Sequence, residues 1–184
     1  MGARTITATV NDLVSFVQAE IAPMLEFNVP PNGGAVEGAA IERDHPTVYP
    51  FYIPSEERLA DGQHQSPSIA VQVSDGTDGL RESRAFNVRL VLMIWAPGEW
   101  ADDGAFTRTM DGWRELFNGL DTIVKAIETA DTVAECTVDL ESGIRYGFLD
   151  VDGEIPDLYP FWFGKVDFRL LCGAPSNKRF VDML

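Results

Sequence analysis

Apolar residues recur along this chain with two different periods, and the changes of period mark out its elements. Leu13, Val14, Phe16, Val17, Ile21 and Leu25 follow a spacing near 3.6. They predict a first helix over about Asn11–Leu25, with Asn11 or Thr9 as its cap and Pro23 as the residue that kinks or ends it. Ser68–Ser74 then alternates, Ile69, Val71 and Val73 against Ala70 and Gln72, and reads as a strand. Phe86–Trp95 reads as a longer one, with Phe86, Val88, Leu90, Leu92 and Ile94 on one face. Its opposite face starts polar at Asn87 and Arg89 and turns apolar at Val91, Met93 and Trp95. Asp75-Gly76-Thr77-Asp78-Gly79 is rich in turn formers and joins the two as a hairpin.

Helical spacing then returns. Phe106, Met110, Trp113, Phe117, Leu120, Val124 and Ile127 repeat at i+4 and i+3, the stripe of one long amphipathic helix, and Trp113 on that stripe is expected in the core. Two shorter strands follow near Val133–Leu140 and Ile144–Val151, with Ser142-Gly143 as their turn. The strand Phe163–Leu171 closes the set, with Val166, Phe168 and Leu170 on one face and Lys165, Asp167 and Arg169 on the other. Strands in runs joined by hairpin turns predict an α+β fold: a mostly antiparallel sheet packed by an N-terminal helix and one long amphipathic helix.

The segment Asn28–Pro67 obeys neither period. It holds Pro30, Pro31, Pro46, Pro50, Pro54 and Pro67 and the pair Gly33-Gly34. Stretches of that length without structure are usually functional or disordered. Its middle, Val48-Tyr49-Pro50-Phe51-Tyr52-Ile53, is too aromatic for a solvated linker. Residues 28–67 therefore read as an extended proline-rich arm that packs on this subunit or on a neighbour. The chain as a whole reads as one domain, 1–184, with a partly polar tail at 174–184.

Tyr159-Pro160-Phe161-Trp162-Phe163-Gly164 opens the closing strand. Proline cannot donate to a ladder and belongs at a strand's start or edge. The run carries more aromatic surface than a turn needs, which suits an assembly surface better than a catalytic cleft. Trp95, Trp100 and Trp162 lie near element ends and fit either burial or an interface. With Tyr159 and Phe161, and with Tyr49 and Phe51 in the arm, they are the candidate interface residues.

Composition narrows the partners. The chain has 184 residues, enough for a core without staples. Fourteen basic residues against 29 acidic ones give a net charge of −15. That sign is wrong for a groove that holds nucleic acid. It suits solubility, or a surface that DNA must pass without adhering. No apolar run approaches the roughly 18 residues of a membrane-crossing helix, and no signal peptide is expected. Cys136 and Cys172 share no metal-type spacing and read as buried free thiols of a chain made in a reducing cytosol, in preference to a disulfide.

Candidate chemistry is sparse. His45 and His64 both lie in the arm, and Glu42 and Asp44 beside them read as loop-surface residues. Asp75–Gly79 and Asp150–Glu154 resemble fragments of calcium loops, but neither places carboxylates, glycine and glutamate at the required positions. No nucleophile elbow, phosphate loop or dinucleotide fingerprint follows a predicted strand. No catalytic, metal or cofactor site is expected, and the chain does not read as an enzyme.

The order of these features is similar to that of the tail terminator, or tail completion, proteins of long-tailed bacteriophages and prophages. A first helix is followed by a strand leading through Asp75-Gly76-Thr77-Asp78 to a long apolar strand ending in Ile94-Trp95-Ala96-Pro97. An acidic stretch, Glu99–Asp103, precedes the amphipathic helix, and Leu158–Gly164 leads into the last strand. That family carries a Pro-Tyr/Phe-Trp/Tyr-Phe-Gly run at this place. The likeness spans about Ser68–Cys172 and the first helix.

The resemblance implies a virion structural subunit that forms a ring with copies of itself, usually a hexamer, at the head-proximal end of the tail. Such a ring caps the tail tube protein, stops tail polymerisation and offers a joining surface to a neck or connector protein. The sheath is a further candidate partner. DNA crosses the lumen without stable binding, so Asp75 and Asp78, or Glu99, Asp102 and Asp103, are expected to face the lumen or a neighbour. No cofactor or membrane is involved, and assembly takes place in the host cytoplasm. The 28–67 arm is longer than the family usually carries. Two other readings compete. One is a neck or head-completion connector with the same ring-forming chemistry. The other is a cytosolic ligand-binding domain or enzyme, which would need a deep pocket with convergent ionisable groups.

Overall fold

The computed structural model describes residues 5–31, 41–60, 64–78, 84–101, 105–130 and 132–173. Helix α1 (Ile6–Phe16) runs through one wide turn (Val17–Ile21) and one tight turn (Ala22–Met24). Short strands β1 (Phe27–Asn28) and β2 (Arg43–Asp44) pair with each other, and β3 (Thr47–Pro50) follows. The two long strands β4 (Ser68–Asp78) and β5 (Arg84–Trp95) precede a small hairpin, β6 (Gly98–Trp100) and β7 (Phe106–Arg108). Helix α2 (Gly112–Thr129), short strands β8 (Thr137–Val138) and β9 (Arg145–Phe148), and the long β10 (Phe161–Cys172) complete the order.

The fold is α+β. The main sheet runs β3-β4-β5-β10-β8, and β9 shares with β8 the outer edge of β10. All its pairings are antiparallel except β3 with β4. The alternation on β5 and β10 decides which way the sheet faces. Phe86, Val88, Leu90, Leu92 and Ile94 meet Val166, Phe168 and Leu170 on one buried face, which α1 and α2 cover. Each such side chain contributes about 1.5–3 kcal/mol of burial free energy. The opposite face of β10 carries Lys165, Asp167 and Arg169.

Both helices start somewhere other than the apolar pattern indicates. The cap of α1 is Thr5, whose Oγ1 accepts the Ala8 N–H at 3.2 Å, so Asn11 and Thr9 are interior residues. Val10, Leu13, Val17 and Ile21 form the buried stripe. Pro23 lacks the N–H that the next helical rung needs, and the helix loosens, tightens and then leaves as extended chain at Leu25. Phe106 and Met110 do not belong to α2. Phe106 lies in the β6–β7 hairpin, and Met110 is exposed ahead of the helix. The buried stripe of α2 is Leu116, Leu120, Ile123, Val124 and Ile127. Trp113 is 42% exposed rather than in the core. The space beneath the first turn of α2 is already filled, because Trp162 and Ala96 pack directly against Gly112.

Two further expectations change. Asp75–Asp78 is strand, paired with Arg84–Asn87. A β-bulge between Val73 and Asp75 takes up one residue, so pairing continues where the alternation fails. The connection falls at 79–83, outside the described residues. Cys136 and Cys172 are not free thiols but form a disulfide. The pairing of Leu171 with Thr137 and Leu170 with Val138 places the two cysteines opposite each other across β8 and β10, with Cα atoms 4.4 Å apart.

Part of the 28–67 segment is built into this subunit. Thr47–Pro50 forms the edge of the main sheet, with Pro50 at its end. Arg43 ties the β1–β2 ribbon down, donating to the Glu26 carbonyl at 2.6 Å and standing 3.6 Å from the Glu115 carboxylate on α2. Burial raises the Glu115 pKa by more than Arg43 lowers it. Residues 32–40, 61–63 and the tail 174–184 lie outside the described residues.

Candidate assembly surface

The aromatic run that opens β10 is fastened to the end of β5. Phe161 pairs with Trp95, the Ala96 N–H donates to the Pro160 carbonyl at 3.0 Å, and the Phe161 N–H closes a tight turn on the Leu158 carbonyl at 2.9 Å. Two side chains bind the same stretch. The Trp162 indole N–H donates to the Ala96 carbonyl at 3.1 Å, and the Tyr159 hydroxyl donates to the Pro97 carbonyl. Proline at position 160 costs the ladder nothing, because the position lies just ahead of the first paired residue.

Strand alternation sends Trp162 toward α2 and leaves Phe161 and Phe163 on the opposite face. At this strand entrance an apolar groove of about 190 Å³ opens, lined by Phe148 on β9, by Met110, Ile155 and Leu158, and by Tyr159, Phe161, Trp162 and Phe163. Met110, Ile155 and Leu158 are 62%, 61% and 46% exposed. The apolar strip continues beyond the groove. Phe148 packs edge-on against Phe117 at 5.1 Å, and Phe117 meets Trp113 at 6.5 Å, so a line of rings leads from β9 onto the first turns of α2. Arg114 stands over Trp113 at 5.1 Å.

The candidate interface residues therefore divide. Tyr159, Phe161 and Trp162 all line the groove, although Trp162 also anchors the helix. Trp95 is 4% exposed and lies beneath Trp100, which in turn packs on Phe106; ring centroids are 5.9 and 4.9 Å apart. Tyr49 is also buried, with its hydroxyl donating to the His64 carbonyl at 2.8 Å, and burial raises its pKa. Neither Trp95 nor Tyr49 offers a surface to a partner. Phe51 does. Its backbone is held at φ +66, costly for a bulky residue, by its N–H on the Val71 carbonyl and by Gln72 on its own carbonyl, both at 2.8 Å. The result is a half-exposed ring next to the exposed Tyr52.

The acidic candidates are scattered. Asp75, on β4, accepts a hydrogen bond from Asn87 at 2.5 Å. Glu99 is exposed on β6, beyond the other end of β5. The eight residues from Asn87 to Trp95 put these two about 26 Å apart along the strand. The Asp78 side chain and Asp102 and Asp103 lie outside the described residues.

A second, polar cleft of about 460 Å³ opens over the polar ends of β5 and β10 and includes Asn87, Arg89, Arg145, Asp167 and Arg169. Arg89 grips Asp167 with two bonds of 2.6 and 3.1 Å, and that pairing raises the guanidinium's pKa. Arg169 stands 3.6 Å from Asp139, whose carboxyl is held below its usual range by the Ser142 hydroxyl and also by Arg169. Nearby, the Lys165 hydrogen bond lowers the Asp150 pKa. These charges pair off across the strands. In the former arm segment, His64 approaches Asp44 at 3.5 Å and the His45 ring meets the Leu25 carbonyl at 2.6 Å. Among the described residues no three His, Cys, Asp or Glu side chains gather as metal ligands would.

Ile155 and Phe148 are groove residues that the pattern of the chain does not single out, and Met110 is one it assigns to the helix stripe. They come from three separate segments, and only the nearness of Ile155-Pro156 to the aromatic run in the sequence hints at them. Compared with family models and with curated proteins, the chain matches none.

Proposed function

We propose that the chain is a structural subunit of a long-tailed bacteriophage. It forms a ring, usually hexameric in the family it resembles, that caps the tail tube, stops its polymerisation and presents a joining surface to the neck. The observation that carries this reading is the exposed apolar groove where the aromatic run enters β10. Met110, Ile155 and Leu158 are 62%, 61% and 46% exposed in a lining that also includes Phe148, Phe161 and Phe163. Covering these three side chains would release roughly 2–5 kcal/mol, half of the full burial value for each. A partner that covers them makes sense of an arrangement that a free monomer leaves exposed.

Charge supports the same reading. A subunit of net charge −15 gives passing DNA little to bind, and Asp75 and Glu99 are the described acidic candidates for the lumen or a neighbour. Phe51 and Tyr52 are the part of the 28–67 segment offered to a neighbouring subunit or a sheath. No step of this function needs a cofactor or a bond-making residue.

Gold-labelled antibody against the chain tests the address. Label at the head–tail junction of intact particles is the expected result. Label on the capsid, along the whole tail, or on no particle overturns the proposal.

A further inference from the structure

The segment that supplies most of the groove's lining is acidic, and Asp157 itself lines the groove. From Gly147 to Gly164 the chain carries Asp150, Asp152, Glu154 and Asp157 and no basic residue. Asp150 is engaged by Lys165, while Asp152, Glu154 and Asp157 are exposed. A matching occupant combines a short apolar run with adjacent positive charge. Lys178-Arg179-Phe180-Val181-Asp182-Met183-Leu184 has that composition, and Lys178-Arg179 is the one place in the chain where two basic residues are adjacent. We infer that this segment of one copy docks into the groove of another, with Phe180 against the groove's apolar lining and Lys178 and Arg179 toward the acidic residues of the 147–164 segment.

Reach keeps Phe180 out of its own groove and sends it to another copy. The groove lies at the Phe161–Phe163 end of β10, and the segment departs from Gly173 beyond its other end. Ten residues separate Phe163 from Gly173, about 33 Å of strand. Seven residues separate Gly173 from Phe180, at most about 25 Å when fully extended. Pulled straight back along its own strand, Phe180 stops short of its own groove. Each copy therefore gives at one end of β10 and receives at the other. Such a heterologous, head-to-tail contact generates a ring when its rotation closes. As a ring contact the inference rests on the function proposed above; as a contact between copies it is tested without it.

The test uses two single variants of the full chain, Leu158→Cys and Phe180→Cys, with the Cys136–Cys172 disulfide left intact. Mixed under mild oxidation, they should give a covalent dimer at least ten-fold above either variant alone. Excess peptide of residues 174–184 should suppress it, and high salt should weaken it. Ile155→Cys, at a more exposed position, repeats the measurement should Leu158→Cys fold poorly. A mixture that cross-links no more than its components overturns the inference. So does a double variant, Leu158→Cys with Phe180→Cys, that closes its bridge within monomers. Cross-linking by a protein whose antibody labels no phage particle would retain this contact and remove the phage reading.

Discussion

Replacing Gly119 by alanine should destabilise the protein, although the same change would strengthen an isolated helix. Gly119 lies mid-way along α2, where alanine is favoured by about 1 kcal/mol. Against that gain stands the closeness of the sheet. A methyl group there would lie 2.8 Å from Phe27 Cζ and 2.9 Å from Leu92 Cδ2, on two side chains that are themselves buried. Forcing a methyl into a filled core costs about 1–3 kcal/mol. Packing wins, with a net loss of about 1 kcal/mol, which is about 2–4 °C in Tm for a chain of this size. Urea denaturation followed by tryptophan fluorescence reads the effect. Asn118→Ala, on the exposed side of the same helix, should instead be neutral or slightly stabilising. Phe27→Leu placed on the Gly119→Ala background should recover part of the loss, since it shortens the ring the methyl meets. A Gly119→Ala midpoint that rises with the Asn118→Ala control would refute the close approach of α2 to the sheet.

Reduction offers a second check. The Cys136–Cys172 disulfide closes a loop of sequence separation 36, so reducing it should cost about 2–4 kcal/mol; identical denaturation curves with and without reductant would contradict the bridge. Titration of Glu115 gives a third. Its raised pKa means the folded chain holds that proton more tightly than the unfolded chain does. The resulting stabilisation is complete below the ordinary value of 4.5 and is lost as pH rises through the raised value. Glu115→Gln should therefore gain stability relative to the native chain as pH rises above 4.5, and a difference that stays flat or falls would contradict the burial of that carboxyl.

How far the fold could be read in advance depended on where the pattern carries its information. Strand β10 was legible because burying one face imposes alternation, and β5 because it alternates at its start and then runs apolar on both faces. The start of α2 was not. The i+3 and i+4 spacing of Phe106, Met110 and Trp113 continues backward into residues whose partners lie elsewhere, Phe106 on Trp100 and Trp162 under Gly112. Spacing reports a face but not the point at which the helix begins. Likewise a glycine-rich run reads as a turn wherever it stands, and only the bulge at Val73–Asp75 lets Asp75–Asp78 continue as strand. The disulfide depends on register between β8 and β10, which is invisible from two cysteines 36 positions apart.

The candidate surface was legible in part for the same reasons. The aromatic run announces the groove because proline at a strand's start and rings on both faces are a local signature. Its other walls, Met110, Phe148 and Ile155, meet there only after the sheet and α2 have formed. Position near an element's end says little about exposure. Trp95 and Tyr49 share that position with Phe51, yet they are buried beneath Trp100 and against the His64 carbonyl while Phe51 stands in solvent.

The measurement that bears most directly on the proposed function is electron microscopy of particles made without this chain. Under the proposed function, deleting its coding sequence from the parent genome should give tails of uncontrolled, excessive length, detached from filled heads. Intact, infectious particles with tails of normal length would contradict the account, and tails of normal length that fail to join heads would move the protein from the head-proximal end of the tail tube to the neck.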